Sequence, residues 1–96
     1  MSRKSIEISY DAGAVPPGFI HAFDFSQKAT ALIETWLAAA GAGSWSGANA
    51  YRDPATGRIA VSTRFQVEDS DRAEALIRAA TEGTPFGRWQ SLHREG

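Results

Sequence analysis

Two histidines, His21 and His93, are the side chains of this sequence best suited to proton transfer near neutral pH, and they stand far apart in the chain. Neither belongs to an HxxxH or HExxH pattern, which would set two ring nitrogens on one helical face for zinc, so each reads as structural. Gly41, Gly43 and Gly47 are spaced GxGxxxG between a helical and a strand pattern, whereas a dinucleotide fingerprint needs GxGxxG between a strand and a helix; they read as a turn. Gly43-Ser44-Trp45-Ser46-Gly47 puts Trp45 where a nucleophile elbow needs its serine, and no Asp and His are placed to complete a triad. Glu68-Asp69-Ser70-Asp71 gathers carboxylates without the glycine and closing glutamate of a calcium loop; the preference of helix starts for negative charge accounts for it. There is no cysteine, hence no disulfide, thiolate metal site or thiol nucleophile. The expectation is a non-enzymatic chain with no catalytic set, no metal and no cofactor. A cofactor-free small enzyme or ligand binder using His21 and nearby carboxylates stands as an alternative.

Arginine is the other group with chemistry to offer. Ten Lys and Arg oppose eleven Asp and Glu, a net charge of −1, so the overall balance points neither to a nucleic-acid coat nor to a polyanion. Yet Arg52, Arg58 and Arg64 fall on one hairpin, with Arg88 and Arg94 later. Arginines beside exposed rings on a sheet hold single strands in RNA-recognition domains, so single-stranded nucleic-acid binding is a second alternative. The RNP-type pattern is absent, since the segment reads Arg58-Ile59-Ala60-Val61-Ser62-Thr63-Arg64-Phe65.

The elements that must carry these residues are legible from periodicity. With 96 residues, 43% hydrophobic and 22% charged, the chain is sized for one domain spanning 1–96. Ile6, Ile8 and Tyr10 alternate with polar neighbours, which predicts a strand over 3–11. Ala12 to Gly18, with Pro16 and Pro17, reads as a loop, and the aromatic-rich Phe19 to Phe25 as a strand whose rings, with His21, face the helices, leaving Ile20, Ala22 and Asp24 on the other side. Ala29, Leu32, Ile33, Trp36, Leu37 and Ala40 form a one-sided helical stripe starting near Gln27, with Asp24 or Ser26 as cap and Gly41 as stop. A strand over 44–52, a turn at Asp53 to Gly57 and a strand over 58–67 make a hairpin. A second helix over 70–82 buries Ala73, Leu76, Ile77 and Ala80, supported by Glu74 and Arg78 at i,i+4, and Gly83 and Pro85 end it. A last strand is expected near Phe86 to Leu92.

From Phe19 onward, strand, helix, hairpin, helix and strand follow in an order that resembles the ferredoxin-like split βαββαβ arrangement. This predicts an α+β domain with two helices on one face of an antiparallel sheet, its core over 19–93 preceded by the extra strand at 3–11. Acylphosphatases share this fold and grip phosphate with an arginine in a glycine-rich loop after the first strand; the corresponding position here, Phe25-Ser26-Gln27-Lys28, has no such cradle.

Hairpin register decides which face carries the rings, because a slip of one residue reverses every side chain of a strand. A five-residue loop pairs Arg52 with Arg58 and turns Trp45 and Tyr51 into the core; a four-residue loop sends them outside. Burying a large apolar side chain is worth about 1.5–3 kcal/mol, which favours the first register in a chain this small. The helix-free face would then present Ala48, Ala50, Arg52, Arg58, Ala60, Ser62, Arg64 and Gln66, a flat surface of small residues rimmed by arginine. That surface suits a protein partner or a homodimer. The expected function is a small protein-binding module acting as regulator, adaptor or inhibitor of a larger complex, as phage anti-defence inhibitors do. No apolar run approaches the roughly 20 residues of a membrane span, and Met1-Ser2-Arg3-Lys4 leads into alternating residues rather than the apolar stretch of a secretory signal. A cytoplasmic protein that does not engage membranes is therefore expected.

Overall fold

A computed structural model describes residues 4–16, 18–19 and 21–96. The readings made for Met1 to Arg3, Pro17 and Ile20 lie outside the described residues. The chain forms β1 (Lys4–Asp11), α1 (Ala22–Ala40), β2 (Gly43–Arg52), β3 (Ile59–Val67), α2 (Ser70–Thr81) and β4 (Ser91–Glu95), with single 3-10 turns at Ala12–Ala14 and Pro85–Gly87. The four strands make one antiparallel sheet in the order β2-β3-β1-β4, the ferredoxin-like split βαββαβ topology, with both helices packed on one face. No helix among the described residues is long and apolar enough to cross a membrane.

The N-terminal strand is present, and it lies inside the sheet: β1 pairs with β3 on one side and β4 on the other. It takes the first-strand place that periodicity assigned to 19–25. Phe19 lies outside any strand, and α1 already begins at Ala22. The reason lies in spacing. Phe25, Ala29, Ile33 and Leu37 recur every four residues and are all buried, so Phe25 extends the helical stripe by one turn instead of ending a strand. The rings of the segment therefore diverge: Phe25 is buried among Tyr10, Phe19 and Phe86, while Phe23 stands outside.

Helix ends follow local chemistry. His21 caps α1, its Nδ1 accepting from the Asp24 N–H at 3.2 Å, where Asp24 or Ser26 was expected. Gly41 closes α1 in the left-handed conformation, φ 61°. Asp69 caps α2 by accepting from the Asp71 and Arg72 N–H groups, a structural use for the acidic cluster. Among the described residues no three His, Asp or Glu side chains are grouped to hold a metal ion. Phe86 lies in the 3-10 turn and packs on Phe19 and Phe25, so β4 starts later than periodicity suggested.

The core joins Ile6, Ile8 and Tyr10 of β1, Val61 and Phe65 of β3, and the inner stripes of both helices. The Tyr10 hydroxyl donates to the Phe86 carbonyl at 2.7 Å, and burial pushes its pKa well above the ordinary value.

Candidate functional site

The hairpin register differs from the expectation by one residue. Arg52 pairs with Ile59, and Asp53 and Arg58 close the loop through a backbone hydrogen bond of 2.8 Å. The Asp53 carbonyl accepts from Gly57 and the Asp53 carboxylate from the Ala55 N–H, so the loop consumes residues 53–58. Ala50 then pairs with Val61 and Ala48 with Thr63, which places both alanines and Arg52 on the helix side. A bulge at Ser46 lets Trp45 pair with Phe65, returning the indole to the helix side as well, while Tyr51 pairs with Ala60 on the helix-free side.

The eight residues expected to share one face are accordingly divided. Ala60, Ser62, Arg64 and Gln66 lie on the helix-free face, where Arg58 also turns to meet Asp11; Ala48, Ala50 and Arg52 do not. Nor is that face flat. The Tyr51 hydroxyl reaches across β3 to donate to Ser9 Oγ at 3.0 Å, and Ala60, Ser62 and Ser9 beneath it are buried. Arg64 lies 3.6 Å from Glu7 and 4.0 Å from Glu95, and Arg58 is 3.0 Å from Asp11. The Gly13 N–H, and then Arg58, hold the Asp11 carboxyl below the usual aspartate range. A base-stacking platform would bring Trp45 and Tyr51 together among free arginines. Here the rings are on opposite faces, and Arg52, Arg58 and Arg64 are engaged internally, Arg52 with the Gly57 carbonyl at 2.7 Å.

Glycine-loop chemistry gains nothing from the true position of β1. The segment after it, Ala12-Gly13-Ala14-Val15-Pro16-Pro17-Gly18, contains glycines but no arginine. His21 is exposed and already caps α1, and His93 is exposed on β4 opposite Glu7.

The feature that sequence reasoning missed lies between α1 and β2. There a groove of about 370 Å³ opens, walled by Phe23, Thr30, Ala31 and Glu34 of the helix and by Trp45 and Ala48 of the strand. Phe23 and Trp45 are 47% and 46% exposed; Trp36 of α1 is a third exposed ring, at 42%, but it does not line the groove. Trp45 is nevertheless held in place: its Nε1 donates to Thr63 Oγ1 at 3.1 Å, Thr63 Oγ1 lies 2.8 Å from Thr30 Oγ1, and the Thr30 hydroxyl donates to the Ser26 carbonyl. Thr63 is fully buried, so this chain ties the indole into the core while its face remains open. Beside the groove runs β2, an edge strand whose outer N–H and C=O groups have no neighbouring strand among the described residues. Residues 43–51 carry no charge and no proline, the usual guards of such an edge. The signal for this site was the four-residue spacing of Phe25 through Leu37, which, read as one helix from Ala22, puts Phe23 on its flank beside Thr30.

The chain matches no protein-family model and no curated protein.

Proposed function

We propose that this chain is a non-enzymatic protein-binding module, a regulator, adaptor or inhibitor of a larger protein, and that it docks through the α1–β2 groove rather than the helix-free face. The observation that carries this reading is Trp45, half exposed yet fixed by the Thr63–Thr30 chain. A large ring held rigid before binding loses little conformational freedom when covered, which is the character of interface anchors. Phe23 adds a second exposed ring across the groove. On the helix-free face, by contrast, the charged side chains satisfy one another, and Tyr51 is committed to Ser9. A homodimer or partner seated there would have to desolvate those ion pairs, a cost that their mutual attraction seldom recovers.

The test places a photo-crosslinking amino acid at Phe23 in one version of the chain and at His93, on the helix-free side, in another. Both are irradiated in the cell that makes the protein. Discrete protein adducts from the Phe23 version that are absent from the His93 version are expected. Adducts confined to His93, or recovery of oligonucleotide instead of protein, would refute the groove assignment.

A further inference from the structure

Resting on that docking site, we infer that its occupant is an extended segment of a partner protein that adds as a fifth strand beside β2, seating an apolar side chain in the α1–β2 groove and a neighbouring lysine or arginine against Glu34. Three features converge on this chemistry. The main chain of β2 is open along Gly47 to Arg52, beyond the bulge, and strand addition is the interaction that satisfies a row of outward N–H and C=O groups. Side chains of an added strand alternate between the two faces of the sheet, so every second one would project to the helix side, where Phe23, Trp45, Ala31 and Ala48 offer apolar walls. Among the described residues lining the groove Glu34 is the one that is charged; it is exposed and forms no ion pair. A cation on the partner is the complement of the charge on the groove's rim.

A library of random peptides displayed on phage is selected against the intact chain, and enriched peptides are synthesised for titration. The expected consensus is an apolar residue with a Lys or Arg close by. Ala48→Arg, at an exposed position that the fold tolerates, should weaken such a peptide by at least about tenfold by filling the groove. Glu34→Lys should weaken it by up to roughly fivefold, and selection repeated on that variant should replace the basic residue with an acidic one. Amide hydrogen exchange supplies the decisive readout: N–H groups of Gly47 to Arg52 that exchange quickly in the free chain should become protected in the complex. Peptides that bind in the groove without protecting those amides would overturn strand addition while leaving the docking site intact. Peptides indifferent to both Ala48→Arg and Glu34→Lys would overturn the partner chemistry, and with protein adducts also missing at Phe23 the docking site itself would fall.

Discussion

The two edges of the sheet are built on opposite plans. β4 is five residues long, and its inner neighbour is the central strand β1. It carries His93, Arg94 and Glu95; Arg94 reaches over the helix side to Asp71 at 2.8 Å and Glu74 at 3.5 Å of α2, and Glu95 meets Arg64 on the other side. Short length and charge are the devices by which native sheets keep foreign strands away. β2 is ten residues long, uncharged until Arg52, and faces a groove instead of a salt-bridged helix. Its single protective feature is the Ser46 bulge, which interrupts one end and leaves the other regular. A fold with one guarded and one unguarded edge has a direction in which it can accept a strand.

The sharpest way to break the contrast is to dislodge the start of β2. A Cβ at Gly43 would lie 2.4 Å from the Gln66 carbonyl oxygen, so Gly43→Ala must push β2 away from β3. Destabilisation of about 1–3 kcal/mol is expected in chemical denaturation, the usual range for an overpacked site. Thr63→Val is milder and more selective. It preserves shape but removes the acceptor of the Trp45 Nε1–H and the partner of Thr30. A loss of about 1 kcal/mol is expected, together with a shifted and broadened Trp45 indole resonance in NMR. An unchanged resonance would mean that the threonine chain does not hold the ring.

Attacking the guarded edge should matter less. Arg94→Ala removes two pairs, one to a largely exposed Asp71, and exposed pairs contribute roughly 0.2–1 kcal/mol. The measurable change is expected in local opening, with faster amide exchange in β4 and little shift of the global transition. The smallest effect concerns the hairpin that carries β2. Because the Gly13 N–H and Arg58 lower the Asp11 pKa in the folded state, this contribution is complete above the ordinary aspartate value of about 3.9 and fades as pH falls through the lower folded value. Stability measured against pH should therefore decline in that acidic window, and Asp11→Asn should flatten the decline.

Much of the frame was legible in the sequence. The stripe of α2, the left-handed stop at Gly41, the Glu74–Arg78 pair at 3.0 Å and the alternation of β3 stand as read, because each rests on periodicity or on contacts within one turn. The α1 stripe holds for Ala29, Ile33 and Leu37, but Trp36, expected within it, lies at its edge and is 42% exposed. The helix start at Ala22 was obscured by Phe19 to Phe25, where three rings at odd positions mimic a strand while Phe25 also fits the helix. β2 was harder still. Ile59, Val61, Thr63 and Phe65 announce their own period, but which of their neighbours they meet depends on whether Arg58 joins the loop and whether the opposing strand contains an extra residue. Neither choice leaves a mark in local composition. The expectation that a domain this small turns both Trp45 and Tyr51 into its core does not hold: Tyr51 lies over Ala60 and Ser62 on the helix-free face, and Trp45, tied to Thr63, stays 46% exposed.

The extra residue at Ser46 also makes β2 a strand of two characters. Trp45 and Tyr51 are an even number of positions apart and would share a face in an uninterrupted strand; the offset sends one to each surface. Loss or gain of a single codon there would exchange the ring between the two surfaces without altering the pairing of Arg52 with Ile59. Variation in strand length, more than substitution, is then the route by which a chain of this architecture would trade one binding surface for another.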